Sequence, residues 1–245
     1  MIAKTLLQCC SAAWSLTAFS SAAGAPPMMV EHGFGDAYQQ APGSIVKFHH
    51  SLPIAGIGMN LWFRLMILFV TSLFRPRMQV RSDVSRLRLR VLPNDIDANL
   101  HMTNGRYWTI FDLGRLDMVL RTGLAKVAVR AKWAPIVGSG AIQFRRELKP
   151  FHAFDLETRL IGWSGTRLIV EQRIFTGSDK ALAARGLLLI GFYDRGNRAF
   201  VKAETVLQSI GVVETTSPPL GDAANALLAA DAALKSEIDD WTERR

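Results

Sequence analysis

Residues 105–121 pattern as a helix without a polar face. At 3.6 residues per turn, Tyr107, Ile110, Phe111, Gly114 and Met118 share one side. Trp108, Leu113, Leu116, Val119 and Leu120 cover most of the remainder. A helix apolar nearly all round has to be enclosed by other structure. Gly114 inside it costs about 1 kcal/mol relative to alanine, so another backbone is expected to pass close by at that point.

The segments that can enclose it flank it in the chain. Residues 86–91, Arg-Leu-Arg-Leu-Arg-Val, alternate strictly, which predicts a strand with Leu87, Leu89 and Val91 inward and three arginines outward. After Thr122-Gly123-Leu124 come four strand-like runs, at about 134–144, 154–163, 167–176 and 181–193. Trp163–Thr166 and Thr176–Asp179 between them read as hairpin turns. One strand, one buried helix and an antiparallel meander make an α+β domain, placed at 80–213. Wrapping the antiparallel sheet around one long central helix is the economical way to bury that helix.

The flanks have different character. Residues 1–53 begin like a secretory signal, with Lys4, a weak apolar run and the small residues Ser21–Ala25, and continue as a Pro/Gly/His/Gln-rich stretch without a period. Ordered patterning starts only near residue 54, so Met59 is expected to be the natural start, or 1–58 a dispensable extension. Residues 54–77 hold the strongest apolar run, 59–74, interrupted by Arg64 and followed by Arg75, Arg77 and Arg81. It falls short of the roughly 20 residues of a spanning helix. A marginal span, a helix lying in the interface with its arginines at the headgroups, and a helix packed on the domain all remain open. Membrane contact from the cytoplasmic side is the expectation. In 214–245, Pro218-Pro219 closes the domain, and an acidic helix over 222–241 carries a stripe of Leu227, Leu234, Ile238 and Trp241 expected to dock on its surface.

A formal net charge of +8 attracts polyanions, which include nucleic acid, anionic lipid and the phosphates of coenzyme A. There is no zinc-finger spacing, no aromatic RNA-binding strand and no Lys/Arg run longer than two, which argues against nucleic acid. The two cysteines, Cys9 and Cys10, are adjacent and supply no disulfide framework, which suits a reducing, cytoplasmic setting.

The chemistry-bearing segment is D-I-D-A-N-L-H-M-T-N-G-R-Y, Asp95 to Tyr107. It sets carboxylates and an imidazole just ahead of a helix whose unpaired N–H groups begin near Asn104 and Gly105, where a positive dipole end also points. Attack on an acyl carbonyl needs a base or nucleophile beside it and donors for the oxyanion. Each residue alone has an ordinary explanation: Asp95 and Asp97 as turn or capping groups, Asn104 as an N-cap, Tyr107 as core, Asp112 and Arg115 as an ion pair. The joint spacing is what points to a site.

This segment resembles the D-x-x-x-H-x-N-N-x-x-Y signature of the 4-hydroxybenzoyl-CoA thioesterase-like hotdog family. Asp97, His101, Asn104 and Tyr107 fall on its aspartate, histidine, second asparagine and tyrosine, and Asp112 with Arg115 on its helical acid and arginine. The resemblance covers about 84–213 and is strongest to the branch called thioesterase superfamily member six and its bacterial relatives. It implies a hotdog fold, an acyl-CoA or acyl-carrier thioester substrate, no cofactor or metal, and a homodimer with its site at the subunit junction. It also implies Asp97, His101 and Asn104 as catalytic residues, and Gly105, Tyr107 and Asp112 near substrate. Arg145, Arg146 and Lys149 either hold coenzyme A phosphates or form a solvated basic edge that blunts sheet pairing. Two positions depart from the pattern: Thr103 replaces the first asparagine, and Asn99-Leu100 replaces the glycine before the histidine. The rival reading is a hotdog module that binds acyl chains or lipid without hydrolysis. Dehydratase-type motifs (D-x-x-P-x-H, H-F-P) are absent.

Overall fold

Apolar residues that alternate along strands and wrap fully around one helix leave that helix only one place, inside the sheet. The computed structural model describes residues 55–214 and 216–243, so the expectations for residues 1–53 lie outside the described residues. In chain order the elements are α1 (Ala55–Ser72), β1 (Ser85–Arg90), a single 3-10 turn (Pro93–Asp95), α2 (Asn104–Arg121) and α3 (Leu124–Ala131). β2 (Trp133–Phe144), β3 (Ala153–Ser164), β4 (Arg167–Thr176), β5 (Ala181–Asp194), β6 (Ala199–Val201), α4 (Ala203–Gln208) and α5 (Asp222–Glu243) follow. The sheet runs β1-β3-β4-β5-β2, antiparallel throughout, with β6 paired to β5.

The sheet curls around α2. Ile110, Phe111 and Leu113 of α2 are buried against Leu156, Ile174 and Leu188 from three strands. Gly114 is where the helix lies on the sheet: a Cβ there would come within 2.2 Å of Thr158 Oγ1 and 2.8 Å of Gln172 Nε2. Gly186 does the same from the strand side, its missing Cβ replaced by the Phe111 ring. The buried Gln172 amide donates to the Phe111 carbonyl (2.9 Å) and to Thr158 Oγ1 (2.9 Å), and accepts from Arg115 (2.9 Å), so the polar groups under the helix are paired. This is the α+β hotdog fold.

The outer face of the sheet divides in two. Ile161, Ile169 and Leu189 form a second apolar cluster with Leu220, Ala224, Leu227 and Leu228 at and before the start of α5. Asp231 of α5 ties down the same region by pairing with Ser139 and Arg167. Leu234 and Ile238, expected to dock, stay exposed at 55% and 61%. Among the described side chains of α5, those that meet the sheet lie in its first half. The other half of the outer face is charged: buried Glu171 collects Arg159, Arg173 and Arg185, each within 2.8 Å. Burial works against this carboxylate, but the three arginines outweigh it and hold its pKa below the usual value.

The position of α1 corrects the expected role of its arginines. Leu68 is buried and Leu61 and Leu65 pack on the core. Arg64 pairs with Asp95 (2.6 Å), Arg75 with Asp117 (2.8 Å) and Arg81 with Glu214 (2.8 Å), so these guanidiniums serve the domain and not headgroups. Asp95 holds the residue before α2 and Asp117 lies in its last turns, so α1 runs alongside α2 in the same direction. Among the described residues no helix is long and apolar enough to cross a membrane. The opposite face of α1, which includes Trp62, Phe63, Met66, Ile67 and Val70, remains exposed, as does Phe74 just after the helix.

Candidate active site

The segment between β1 and α2 is built on Asp95. Its side chain is 1% exposed. Oδ2 accepts from Arg64 (2.6 Å) and from the Leu92 N–H (2.9 Å), and Oδ1 lies 3.4 Å from Arg106. Its carbonyl accepts from the Thr103 N–H (3.0 Å). One residue therefore holds both the entrance of the loop and the residue that precedes α2. A bridge between Ile96 and Met102 closes the loop into a tight turn, and the Met102 N–H bonds to the Leu148 carbonyl at the exit of β2.

Asp97 and His101 stand at the tip. The Asp97 N–H donates to the His101 carbonyl (3.0 Å), and the Asp97 carbonyl accepts from Leu100 (3.1 Å). This brings Asp97 Oδ1 within 3.5 Å of His101 Nδ1, with the side chains 32% and 35% exposed. The Asn99 N–H donates to the same carboxylate oxygen (2.9 Å). Leu100 carries φ of +60°, the left-handed conformation that costs a branched residue about 1–2 kcal/mol. The positive φ thus falls on Leu100, within the Asn99-Leu100 pair that stands where the family has glycine.

Thr103 precedes α2 without a side-chain cap bond, and the first turn holds no acid. The Arg106 N–H turns back to the Thr103 carbonyl (2.9 Å), and the Asn104 and Gly105 amides ahead of it are left for another acceptor. Asn104 and Gly105 are exposed, and the space where a Cβ of Gly105 would sit is open. Tyr107 turns inward instead. It is 3% exposed and packs edge-on against Phe144 of β2, with ring centroids 4.9 Å apart, and burial pushes its phenol up to about 12. Trp108 beside it reaches Gly140 of β2.

One turn further on, Asp112 pairs with Arg115. Burial raises the Asp112 carboxyl and Arg115 opposes the shift. Burial also lowers the Arg115 guanidinium, and Asp112 opposes that. Half of the Asp112 side chain reaches solvent, which limits the effect. The strand exit places Arg145, Arg146 and Lys149 on an exposed edge, Arg146 3.9 Å from Asp179 and Lys149 3.3 Å from Glu147. Asp97, His101, Asn104 and Gly105 thus share one loop and helix start, Tyr107 lies beneath it, and Asp112 sits deeper along the helix.

Sequence reasoning missed Asp95 as the organising carboxylate and Asp117 as its counterpart at the other end of α2. Asp117 is fully buried and receives Arg75 (2.8 Å), Ser85 Oγ (2.6 Å) and Arg121 (3.2 Å). The available signal was the two arginines of an otherwise apolar segment, Arg64 and Arg75, eleven residues or three helical turns apart.

The sequence profile of the thioesterase-like superfamily matches residues 91–229. Protein THEM6 of Danio rerio is 36% identical over 95 residues, 39% of this chain and 47% of that protein. Thioesterase lcsJ of Purpureocillium lilacinum is 26% identical over 99 residues, 33% of this chain and 32% of that protein. The chain thus spans about half the length or less of these curated relatives. Among solved structures, Slr0204, a 1,4-dihydroxy-2-naphthoyl-CoA thioesterase from Synechocystis, matches 52% of this chain and 95% of its own at 12% identity, with a TM-score of 0.47. The profile extends over more than half of the chain, from the end of β1 into α5, and on that ground the chain belongs to the thioesterase-like superfamily.

Proposed function

We propose that this chain hydrolyses acyl thioesters, of coenzyme A or of an acyl carrier, to free acid and thiol. The observation that carries this reading is the Asp97–His101 pair, 3.5 Å apart and partly exposed, beside the uncapped start of α2. A carboxylate there can take a proton from water or attack the carbonyl carbon itself. His101 orients or polarises the carbonyl. The N–H groups at Asn104 and Gly105 receive the negative charge that develops on the oxygen, at the positive end of the helix. The open space over Gly105 lets the carbonyl approach that backbone. Tyr107 and Asp112 line the acyl side, and Arg145 and Arg146 take the coenzyme phosphates. Incubating the purified chain with acyl-CoAs of several lengths and measuring free thiol tests this. Binding without thiol release would favour the acyl-binding module instead.

The working unit in this reading is a homodimer. β2 is a twelve-residue edge strand with Ile136, Val137 and Phe144 exposed, and such an edge invites pairing with a second chain. Pairing there covers Phe144, which packs on Tyr107, so the site borders the junction. A monomer with full activity at micromolar concentration would overturn it. The exposed apolar face of α1 supports attachment to the cytoplasmic face of a membrane, with the helix lying in the interface. Fractionation with and without residues 59–77 tests this, and equal solubility of both forms would remove it.

A further inference from the structure

α1 is arranged in the reverse of an ordinary surface helix. Its one charged side chain, Arg64, points at the protein beside Leu61, Leu65 and Leu68, and the face turned away is apolar. Trp62, Phe63, Met66, Ile67 and Val70 fall on an outward arc of about 140° at 100° per residue, and Phe74 follows in the turn after the helix. Phe74 alone is 85% exposed. The hydroxyls of α1 are satisfied within the helix: Thr71 donates to the Ile67 and Leu68 carbonyls (2.8 and 3.1 Å) and Ser72 to the Phe69 carbonyl (2.7 Å). An outward face of this kind offers nothing to water and little to a polar partner. From Trp62 to Val70 it measures about 12 Å, too short to span a bilayer and long enough to lie in one leaflet. Exposed Arg77 after it adds a cation for anionic headgroups.

The inward face of the same helix reaches the candidate site. Arg64 donates to the Arg90 carbonyl at the end of β1 (3.0 Å) and to Asp95 Oδ2 (2.6 Å). Asp95 in turn holds Leu92 and Thr103, which bracket the loop carrying Asp97 and His101. A rigid helix, a guanidinium and a buried carboxylate therefore connect the apolar face to the turn at 97–101. Resting on the thioesterase reading above, we infer that α1 couples an anionic bilayer surface to the site. Docking its outer face presses Arg64 onto Asp95 and orders the loop, so the enzyme works on amphiphilic acyl thioesters presented at that surface. Arg64 is then a positioning residue, acting on Asp97 through Asp95.

Amide hydrogen exchange on the full chain, with and without vesicles of phosphatidylcholine and phosphatidylglycerol, tests the coupling independently of turnover. The reporters are the loop amides of Asp97, Leu100, Met102 and Thr103, each of which donates a backbone hydrogen bond. Vesicles are expected to slow their exchange by about fivefold or more, the low end of ordinary coupling, and to raise thioester turnover in parallel. Arg64→Gln should still bind vesicles and show neither response, and Arg64→Lys should restore part of both. Phe63→Ser with Ile67→Ser should lose vesicle binding and the loop response together. If loop exchange in the wild type ignores vesicles that it binds, if no vesicles are bound, or if Arg64→Gln responds like wild type, the coupling is overturned. If exchange responds but no thioester is hydrolysed, the coupling stands and the hydrolase reading falls.

Discussion

At the C-terminal end of α2, Asp117 is fully buried and receives two arginines and a serine hydroxyl. At the N-terminal end, Asp95 is buried just as deeply under Arg64 and the Leu92 amide. Both fasten α1 to the domain. The difference lies in what comes next. Beyond Asp117 the chain enters α3 with no further carboxylate, whereas two residues after Asp95 stands Asp97, one-third exposed beside His101 and an uncapped helix start. A carboxylate surrounded by donors holds structure in place. One met by a single imidazole and a single amide keeps lone pairs open to solvent. The same residue type is thus locked among donors at one end of α2 and left partly open to solvent at the other.

The largest expected effect breaks the structural end. Asp117→Ala strands Arg75 and Arg121 beside a buried void and should cost about 3–5 kcal/mol in denaturant unfolding. A loss below about 1 kcal/mol would mean that the buried cluster is not holding the helix pair. Gly114→Ala, between the two ends, should cost about 1–3 kcal/mol, because its Cβ collides with Thr158 and Gln172. A neutral result there would show that α2 does not press on the sheet. Leu100→Gly probes the site end and should act in the opposite direction. Relief of a left-handed leucine is worth about 1–2 kcal/mol, and glycine's extra unfolded freedom takes back about 0.5–1. A net gain of about 0.5 kcal/mol is expected from thermal melts. A clear loss would show that the turn is not strained there.

The parts of the fold governed by local pattern were legible in the sequence. The Arg-Leu-Arg-Leu-Arg alternation became β1 with its leucines inward, and the apolar helix became α2 inside the sheet. Gly114 was readable as a close approach, though not which strands it met. α3 went unread because eight residues, Leu124–Ala131, are too few for a helical period to stand out between a turn and a strand. Arg64 and Arg75 looked like headgroup contacts because their partners, Asp95 and Asp117, lie 31 and 42 positions away. The same distance concealed which aspartate of the Asp95–Asp97 pair would be buried. The acidic helix was assigned a docking stripe of Leu227, Leu234, Ile238 and Trp241; Leu227 packs on the sheet, Leu234 and Ile238 stay exposed, and the Trp241 side chain lies outside the described residues.

The measurement that bears most directly on the account is the turnover of Asp97→Asn, with folding checked by circular dichroism. Asparagine keeps the shape of the side chain and can still accept from the Asn99 amide, but it is neither base nor anionic nucleophile. Turnover of an acyl-CoA should fall by at least about 100-fold, the lower bound for losing a general base, with His101→Ala intermediate. Turnover close to wild type in Asp97→Asn would contradict the account, and a large loss confined to Asp95→Asn would show that the buried aspartate, not the exposed one, carries the chemistry.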